Sequence, residues 1–431
     1  MSAANCAAFA LPSRSNRLGV HALPCYNREM HLTQLALVNF RNYAGLVLDL
    51  GPGPLLLCGD NAQGKTNLLE AIYLLATTRS AFARAERQVI NWQSLEHDAL
   101  PFARLEGHVQ RQNSAFRIDV TLLPDEAGRI HKEMRLNGVK KRALDLVGQM
   151  NAVLFIPEDV DLVTGGPAAR RRYLDITLCQ IEPTYCRALS RYNQALTQRN
   201  ALLKQLGERQ GNQDQLVFWD EQLAEHGAVL IVARRQAIAA LDRLGRERYL
   251  VLSDQRETLR LYYAPSFDPE DRPSLDYQRP LLLEELLPST QASLPVQDVT
   301  RAYILSLRQA RREEIARGMT LTGPHRDDVH FLVDGVDLTL YGSRGQQRTT
   351  ALALRFAEVD LMKQTTGESP VLLLDDVMSE LDAGRRARVT AMVGDVEQSI
   401  ITTTDWDDFT DAFRDRAAGL LRVVDGEVEP V

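Results

Sequence analysis

A glycine-bearing loop near the start of this chain limits what the sequence can fold into more than any other feature. The loop fits the pattern G-x-x-x-x-G-K-[ST] and consists of Gly59, Asp60, Asn61, Ala62, Gln63, Gly64, Lys65 and Thr66. Residues 55–57 before it are all leucine and predict a buried strand, and the apolar positions of residues 65–77 recur at helical spacing. This order predicts an α/β fold with a phosphate site at the amino end of the helix.

Each part of this loop suits the binding of ATP and Mg²⁺. The glycines let the backbone turn tightly, so that its N–H groups face phosphate oxygens, and the helix dipole adds a favourable field. Lys65 is expected to reach the β- and γ-phosphates, and the hydroxyl of Thr66 is expected to ligate magnesium. We therefore predict that the whole loop binds the nucleotide.

A pair of carboxylates follows a second apolar run. Residues 371–374 read Val-Leu-Leu-Leu, and Asp375 and Asp376 come directly after them. A nucleotide site requires one carboxylate to hold magnesium through water and another group to face the attacking water. We assign Asp375, together with Thr66, to the metal and Asp376 to the catalytic role.

The α/β pattern occurs at both ends of the chain, with a helical stretch between them. Strands or β-like segments are predicted at residues 32–40, 45–50, 54–58, 104–109, 115–123, 130–136, 259–263, 329–333, 371–374 and 399–403. Helices are predicted at residues 65–77, 168–206, 215–251, 299–317 and 347–363. The dipeptide Asn137-Gly138 predicts a tight hairpin.

These patterns predict an α/β head that is split in sequence. Residues 30–165 are expected to form its first half, 166–318 a mainly helical insertion, and 319–431 its second half. Residues 1–29 lack helical or strand periodicity and are expected to be a disordered extension or sequence upstream of the true start.

Composition favours a globular protein that does not enter membranes. Of the 431 residues, 45% are apolar and 25% are charged, as in ordinary globular proteins, and no run approaches the roughly 18 apolar residues that a membrane-spanning helix needs. The cysteines form no C-x-x-C pair and are scattered at Cys6, Cys25, Cys58, Cys179 and Cys186. We expect a cytoplasmic protein with no membrane partner.

Further motifs resemble those of ABC-type ATPases. Ser379-Glu380-Leu381-Asp382 resembles their D-loop, and Ser343-Arg344-Gly345-Gln346-Gln347 resembles their signature motif. Within this superfamily, the chain from residue 30 to residue 431 closely resembles the RecF family. The motifs that carry this resemblance are N-F-R-N-Y at 39–43, I-P-E-D at 156–159, G-G-P at 165–167, R-R-R at 170–172, G-P-H-R-D-D at 323–328 and S-R-G-Q-Q at 343–347.

The resemblance implies the head of a P-loop ABC-type ATPase and adds five residues to the candidate nucleotide site. These residues are Arg41, Asn42, Ser343, Gly345 and Gln346. It also implies a protein that binds ATP and DNA, forms a homodimer with ATP, and acts with RecO and RecR to load recombinase at gaps. Its implied setting is recombinational repair, replication gap repair and support of the SOS response.

Departures from the ABC pattern predict slow hydrolysis. ABC-type ATPases usually carry Glu after the magnesium-binding Asp and His on the last strand, where this chain has Asp376 and the threonines 402–404. A base withdrawn by about one methylene can cost on the order of 100-fold in rate. We therefore expect a weak ATPase in which ATP acts mainly as a dimer clamp. No glutamine before residues 155–157 marks a Q-loop, and segment 77–82 is less basic than the family pattern.

Two clusters of basic residues are candidates for binding DNA, in a chain whose net charge is −7. The first cluster consists of Arg170, Arg171, Arg172, Arg187, Arg191, Arg199, Lys204 and Arg209. The second consists of Arg129, Lys132, Lys140, Lys141 and Arg142. Such clusters can follow a phosphate backbone, but solvated helix faces carry the same pattern. The run Arg-Arg-Glu-Glu at 311–314 is predicted to be such a face, and the choice among single-stranded, double-stranded, gap and junction DNA is left open.

Three other interpretations share some of these features. A short SMC-like DNA-organising ATPase would share the motifs, but residues 166–318 lack the sustained heptads of a long coiled coil. The nucleotide-binding subunit of a transporter would share the ATP motifs without needing a helical insertion or a basic cluster. A structural module with inactive motifs is disfavoured, because Lys65, Thr66, Asp375 and Asp376 are all intact.

Overall fold

The structure is a computed structural model that describes residues 17–18, 30–112, 114–125, 127–270 and 294–431. Contacts within the chain divide it into two compact units, one formed by Met1–Pro157 with Glu368–Val431 and the other by Glu158–Gly367. Apart from residues 17 and 18, the predicted disordered extension 1–29 lies outside the described residues.

The strands and helices of the described residues have the following bounds. The strands are β1 Arg17–Leu18, β2 His31–Phe40, β3 Tyr43–Asp49, β4 Gly53–Cys58, β5 Ala103–Arg111, β6 Ser114–Pro124, β7 Ile130–Leu136, β8 Val139–Lys141, β9 Ala152–Phe155, β10 Leu259–Ala264, β11 Asp328–Val333, β12 Val336–Asp337, β13 Val371–Leu374, β14 Gln398–Thr403, β15 Gly419–Val424 and β16 Glu427–Pro430. The α-helices are α1 Lys65–Thr77, α2 Trp92–His97, α3 Ala143–Leu146, α4 Asp161–Thr164, α5 Pro167–Ile181, α6 Pro183–Gly207, α7 Gln215–Leu252, α8 Val296–Arg317, α9 Leu338–Tyr341, α10 Arg344–Thr366, α11 Ala383–Gly394 and α12 Asp411–Arg414.

The first unit contains a six-stranded sheet in the order β16-β15-β4-β14-β13-β9. Strand β4 pairs in parallel with β14 and β15, and β13 pairs in parallel with β14 and β9. Every residue of β4, β9, β13 and β14 is buried, as expected for parallel strands that are covered on both faces. Segments from both ends of the chain therefore build one sheet, which confirms the predicted split head.

The same unit contains a seven-stranded sheet in the order β1-β3-β2-β5-β6-β7-β8. Strands β3, β2, β5, β6, β7 and β8 pair antiparallel in this order, and the predicted hairpin between β7 and β8 is confirmed. Its turn residues Asn137 and Gly138 have φ angles of 51° and 80°, as a type I′ turn requires. Helix α1 contacts strands of both sheets, which explains why nearly all of its residues are buried.

The second unit is built around the long helix α7, which contacts α6, α8, α10 and strand β10. Gly227 in this helix permits close approach of aromatic rings, because a Cβ there would lie 2.8 Å from an atom of the Tyr303 ring. A three-stranded antiparallel sheet in the order β10-β11-β12 completes the unit. Mainly helical structure with a small sheet agrees with the β-like segment predicted at 259–263.

Two sequence expectations differ from the observed elements. The predicted helix 168–206 is wrong as a single helix, because α5 ends at Ile181 and α6 begins at Pro183. Proline lacks the N–H that would continue a helix, and it readily begins a new one. Residues 319–367 pack within the second unit, because β11 pairs with β10 and α10 contacts α7. The insertion boundaries at 166 and 318 stay a prediction.

The length and apolarity of the described helices can be compared with what a membrane-spanning helix needs. None of them is both long enough and apolar enough to cross a membrane.

Candidate nucleotide-binding site

The glycine-bearing loop lies between the carboxyl end of β4 and the amino end of α1. Gly64 is the N-cap residue of α1 with a φ angle of 114°, and Ala62 has a φ of 66°. A Cβ at Gly59 would lie 2.3 Å from the carbonyl oxygen of Val423, and a Cβ at Gly64 would lie 2.5 Å from Asn42 Nδ2. Both positions therefore require glycine, and the backbone between them forms a tight cradle with Asp60 and Asn61 exposed.

Side chains from the start of the chain hold this loop in place. Asn42 Nδ2 donates a hydrogen bond of 2.9 Å to the carbonyl oxygen of Gln63, and the Tyr43 hydroxyl donates one of 3.0 Å to the carbonyl oxygen of Gly64. Asn67 Nδ2 in turn donates to Asn42 Oδ1 at 2.8 Å. Asn42, which the resemblance implied as a nucleotide-binding residue, thus positions the loop.

The turn between β15 and β16 holds the loop from the other side. The backbone N–H of Gly426 donates to the carbonyl oxygen of Gln63 at 3.0 Å, and that of Asp425 donates to Gln63 Oε1 at 2.6 Å. Sequence reasoning missed this turn as part of the site. Its local signal is the pair Asp425-Gly426, whose φ angles of 48° and 80° mark a tight hairpin.

Lys65 curls back over the loop. Its Nζ donates to the carbonyl oxygens of Gly59 and Asp60 at 2.5 and 2.8 Å. Burial lowers the pKa of Lys65, and the carboxylates of Asp376 and Asp375 oppose this shift. The predicted phosphate-binding cation therefore lies close to both predicted carboxylates.

The Asp375 carboxylate is held by two hydroxyl groups. Thr66 Oγ1 donates to Asp375 Oδ2 and Thr402 Oγ1 donates to Asp375 Oδ1, each at 2.7 Å. Burial raises the pKa of Asp375, whereas the bonds from Thr402 and Thr66 favour its charged form. The structure brings together Thr66 and Asp375, the two residues predicted to hold magnesium.

Asp376 adopts a less common backbone conformation at the end of β13. Its φ angle is 48°, in the left-handed region, and its backbone N–H donates to Thr402 Oγ1 at 2.9 Å. Its Oδ1 atom is buried and has no hydrogen-bond partner among the described residues. An unsatisfied buried carboxylate oxygen is costly, so its presence next to the phosphate loop indicates a site that a ligand completes.

The donor set fits a magnesium nucleotide. Mg²⁺ prefers a few hard oxygen ligands together with phosphate oxygens, and Thr66 and Asp375 supply a hydroxyl and a carboxylate in contact. The glycine cradle between Gly59 and Gly64 leads directly into Lys65 and Thr66, and Asp376 offers an oxygen without a partner among the described residues. Phosphate, metal and a water-activating carboxylate can therefore meet at one place.

Comparison with known proteins agrees with this geometry. The sequence matches the family described as RecF/RecN/SMC N terminal domain over residues 31–429. A protein of Herpetosiphon aurantiacus named DNA replication and repair protein RecF is 44% identical over 396 residues, covering 89% of this chain and 96% of the relative. A protein of the same name from Chloroflexus aurantiacus is 42% identical over 411 residues, covering 93% and 99%. This chain belongs to the RecF family.

Solved structures of the RecF family share the fold. One described as the recombination mediator protein RecF-ATP in the RecFOR pathway has a TM-score of 0.78 and 30% identity, and covers 95% of this chain and 100% of its own. A second, of RecF-ATPrS, has the same TM-score and covers 94% of this chain. The predicted fold class is confirmed: a mixed α/β ABC-type ATPase head with a helical insertion.

The structure places Arg41, another residue that the RecF resemblance implied, beside helix α1. Its Nε and Nη2 donate to the two carboxylate oxygens of Glu70 at 2.8 and 2.7 Å, and Nη1 donates to the carbonyl oxygen of Gln88 at 2.8 Å. Glu70 is fully buried and also accepts a bond from Ser80 Oγ. Arg41 is thereby fixed by a bidentate ion pair, and its contact with nucleotide stays a prediction.

The signature motif of this RecF-family chain lies in the second unit, at the amino end of α10. Ser343 is the N-cap residue, and its Oγ accepts from the backbone N–H of Gln346 at 3.2 Å, while Gln346 Oε1 accepts from the Ser343 N–H at 3.0 Å. Gln346 Nε2 donates to Glu257 Oε1 at 2.8 Å. A Cβ at Gly345 would meet nothing nearer than Ser343 Oγ at 4.0 Å. Ser343 is exposed, so the motif presents an open helix terminus.

The predicted basic cluster between residues 170 and 210 is not one continuous surface. Arg170 donates to both oxygens of Asp328 at 2.6 and 2.9 Å and is only 4% exposed, and Arg199 is fully buried. Arg171 donates to the carbonyl oxygen of Asp327 at 2.7 Å. The predicted solvated face at 311–314 is wrong at Glu314, which is buried against Arg199. These side chains bind other residues of the unit, so they stabilise the fold.

Other members of this cluster remain exposed. They are Arg172, Arg187, Arg191, Lys204 and Arg209. Helix α6 carries Arg187, Arg191 and Lys204 and contains no acidic residue. Arg187 and Arg191 lie one turn apart on one exposed side of α6, and Lys204 is exposed more than three turns further along the helix.

The second basic cluster is largely paired with carboxylates. Lys132 lies 2.6 Å from Glu86, and Lys140 lies 3.0 Å from Glu133. The pairs Arg129–Asp125 and Arg142–Asp145 measure 3.2 and 2.9 Å. This cluster offers less uncompensated charge than α6.

Proposed function

We propose that this RecF-family chain is an ATP-binding, slowly hydrolysing, DNA-binding protein of recombinational repair in which ATP acts mainly as a dimer clamp. One observation carries the proposal: Lys65, Thr66, Asp375 and Asp376 meet at the carboxyl ends of β4 and β13, the parallel strands on either side of β14. Ligands of open α/β sheets bind at this edge.

The loop residues have distinct tasks in this proposal. The backbone N–H groups of residues 59–66 and the Lys65 ammonium bind the β- and γ-phosphates. Thr66 and Asp375 hold Mg²⁺, which when bound would neutralise charge on the phosphate oxygens. Asp376 accepts a proton from the attacking water. Aspartate is one methylene shorter than the usual glutamate, so we expect slow hydrolysis.

A second copy of the chain supplies the other face of the nucleotide. The exposed amino end of α10, with Ser343, Gly345 and Gln346, offers a hydroxyl, N–H groups and the positive end of a helix dipole. A twofold dimer would then bury two nucleotides, each between one phosphate loop and the other signature motif. The solved RecF-ATP structure supports ATP as the nucleotide.

DNA and partner proteins complete the proposal. We assign contact with the DNA backbone to the exposed basic residues of α6, which are Arg187, Arg191 and Lys204. The RecFOR pathway named for the solved relatives supports RecO and RecR as partners. Loading of recombinase at gaps is the step that these contacts would serve.

The deciding experiment measures nucleotide binding and dimer formation in one series. Lys65→Met should abolish binding of a fluorescent ATP analogue, because it removes the positive charge that binds phosphate at the buried end of the loop. Lys141→Met, which removes an exposed lysine from β8, serves as the control and should bind like the parent. Analytical ultracentrifugation with ATP and Mg²⁺ then tests the clamp, which Ser343→Arg should prevent. Near-normal nucleotide affinity in Lys65→Met would refute the assignment.

A further inference from the structure

One hydroxyl at the nucleotide site bonds to both acidic residues, to the carboxylate of Asp375 and to the backbone of Asp376. Thr402 Oγ1 donates to Asp375 Oδ1 at 2.7 Å and accepts from the backbone N–H of Asp376 at 2.9 Å. A hydroxyl group carries a single proton to donate, so Thr402 has committed it to Asp375 and uses its lone pairs for Asp376. No other described side chain bonds to both residues in this way.

The strand register explains why Thr402 can do this. In β14, Ile401 lies opposite Leu374 of β13 and Thr402 lies opposite Leu57 of β4. Thr402 is therefore between the strand that ends in the carboxylates and the strand that leads into the phosphate loop. Its side chain is fully buried, so its position is set by the packed sheet.

The bond to the Asp376 N–H fixes the direction of the second carboxylate. Asp376 has a φ angle of 48°, which costs a non-glycine residue some backbone strain. Its Oδ1 is buried and accepts no hydrogen bond from any residue that the structure describes, so no such bond holds that oxygen in place. Two side chains hold the backbone of this residue: Thr402 Oγ1 accepts from its N–H, and Ser379 Oγ donates to its carbonyl oxygen at 2.9 Å. Only the bond to Thr402 also links Asp376 to the hydroxyl that holds Asp375, so it sets the direction of one residue relative to the other.

We propose that Thr402 is a positioning residue that sets the metal-holding Asp375 and the water-facing Asp376 in one fixed arrangement. It lies near the end of β14 and contacts the Asp375 carboxylate and the Asp376 backbone. This inference rests on the proposed nucleotide site and names a further residue within it. Groups that orient metal ligands typically change metal affinity or activity by about 10-fold to 100-fold when removed.

The test compares Thr402→Val, which keeps the shape of the side chain and removes the hydroxyl, with Thr402→Ser, which keeps the hydroxyl. The first readout is the Mg²⁺ concentration that gives half-maximal binding of a nonhydrolysable fluorescent ATP analogue. The second is the single-turnover rate of ATP hydrolysis. We expect Thr402→Val to need about 10-fold to 100-fold more Mg²⁺ and to hydrolyse ATP more slowly by a similar factor. Thr402→Ser should restore both values.

A neighbouring threonine provides the matched control. Thr403 is also buried, but its hydroxyl contacts the carbonyl oxygen of Asp405 and Asp408 Oδ2, away from both carboxylates. Thr403→Val should therefore keep the Mg²⁺ requirement of the parent. Thr402→Cys, whose thiol is a weaker donor and acceptor, should raise the Mg²⁺ requirement by an intermediate factor. This variant replaces Thr402→Val in the test if the valine variant does not fold.

The outcomes separate this inference from the proposed function. A parent protein that binds no ATP analogue with or without Mg²⁺ would remove the proposed function. If the parent responds to Mg²⁺ and Thr402→Val or Thr402→Cys matches it, only the role of Thr402 is overturned. The role of Thr402 would also be overturned if Thr403→Val raised the Mg²⁺ requirement as much as Thr402→Val, or if Thr402→Ser failed to restore the requirement of the parent.

Discussion

The nucleotide site and the ion cluster around Arg199 both contain buried charged groups. The two regions differ in whether the hydrogen-bonding capacity of these groups is satisfied. Arg199 donates to Asp220 Oδ1 at 2.8 Å, to Glu314 Oε2 at 2.6 Å and to Thr320 Oγ1 at 2.8 Å. All four residues are no more than 1% exposed. At the nucleotide site, by contrast, a buried oxygen of Asp376 lacks a hydrogen-bond partner within the described part of the chain.

This difference separates charges that hold a fold from charges that await a ligand. A buried ion cluster whose hydrogen bonds are complete fixes the elements that it joins. A buried polar atom without a partner costs free energy, and a ligand that supplies the partner recovers it. Both regions combine a basic residue with aspartate and threonine, so residue type alone does not distinguish them.

The largest effect should come from breaking the complete cluster. Arg199→Met leaves Glu314 buried without its cation and Asp220 with Arg311 alone, and it should lower the free energy of unfolding by about 3–5 kcal/mol. Urea denaturation of the variant measures this loss. Arg187→Met, on the exposed face of the same helix, should change it by less than about 0.5 kcal/mol. Equal losses in the two variants would contradict the distinction.

At the nucleotide site, where a buried carboxylate oxygen is unsatisfied among the described residues, a substitution should have the opposite effect. Asp376→Asn removes charge from an unsatisfied group, so stability should hardly change while ATP hydrolysis falls by about 100-fold or more. Single-turnover hydrolysis and thermal melting measure the two effects. Asp395→Asn, an exposed residue after α11, should leave both unchanged. Turnover equal to that of the parent would mean that another group activates the water.

Arginine and lysine residues on α6 extend the comparison to the surface. Replacing Arg187, Arg191 and Lys204 by Ala should weaken DNA binding and flatten the slope of log K against log salt by about 0.9 for each lost contact with duplex. Fluorescence anisotropy across a salt series measures the slope. Arg170→Ala should instead lower stability, because Arg170 is buried against Asp328. A steeper or unchanged slope in the triple variant would place DNA elsewhere.

The smallest effect concerns a buried histidine of the second unit. Burial lowers the pKa of His325 from its ordinary value of 6.5 to about 4, and Tyr192 OH lies 2.7 Å from its Nδ1. The unfolded chain gains a proton as pH falls through about 6.5 while the folded chain does not, so stability should fall between about pH 6.5 and pH 4. Thermal melting against pH should show this slope weakened in His325→Gln but not in His131→Gln, an exposed control.

Local patterns in the sequence predicted the parts of the fold that depend on neighbouring residues. The strand, loop and helix around residues 55–77 and the hairpin at Asn137-Gly138 are specified within a few positions. The pairing of Thr66 with Asp375 could be predicted as well, because the chemistry of a magnesium nucleotide requires both. The roles of Thr402 and Asp425 could not, because they depend on strand register across the chain.

The sequence prediction also failed for the direction in which some basic side chains point. Arg199 looked like part of a positive surface, yet it lies on one helical stripe with Tyr192, Ala195, Leu202 and Leu206, which are all buried. The spacing of three and four residues along this stripe was visible in the sequence. A charged residue inside an apolar stripe therefore indicates a buried ion pair more than a solvent-facing contact.

The contact between the phosphate loop and the β15–β16 turn has a consequence for synthesis of the chain. Gln63 and Asp425 are 362 positions apart in sequence, so a ribosome releases the loop long before the turn that holds it. Domains fold as units once their segments have emerged. A nascent chain that has exposed residues 59–66 therefore has the contacts from Asn42 and Tyr43 but still lacks those from the β15–β16 turn. Nucleotide would stabilise only chains that have been translated through this turn, because a ligand favours the state that binds it.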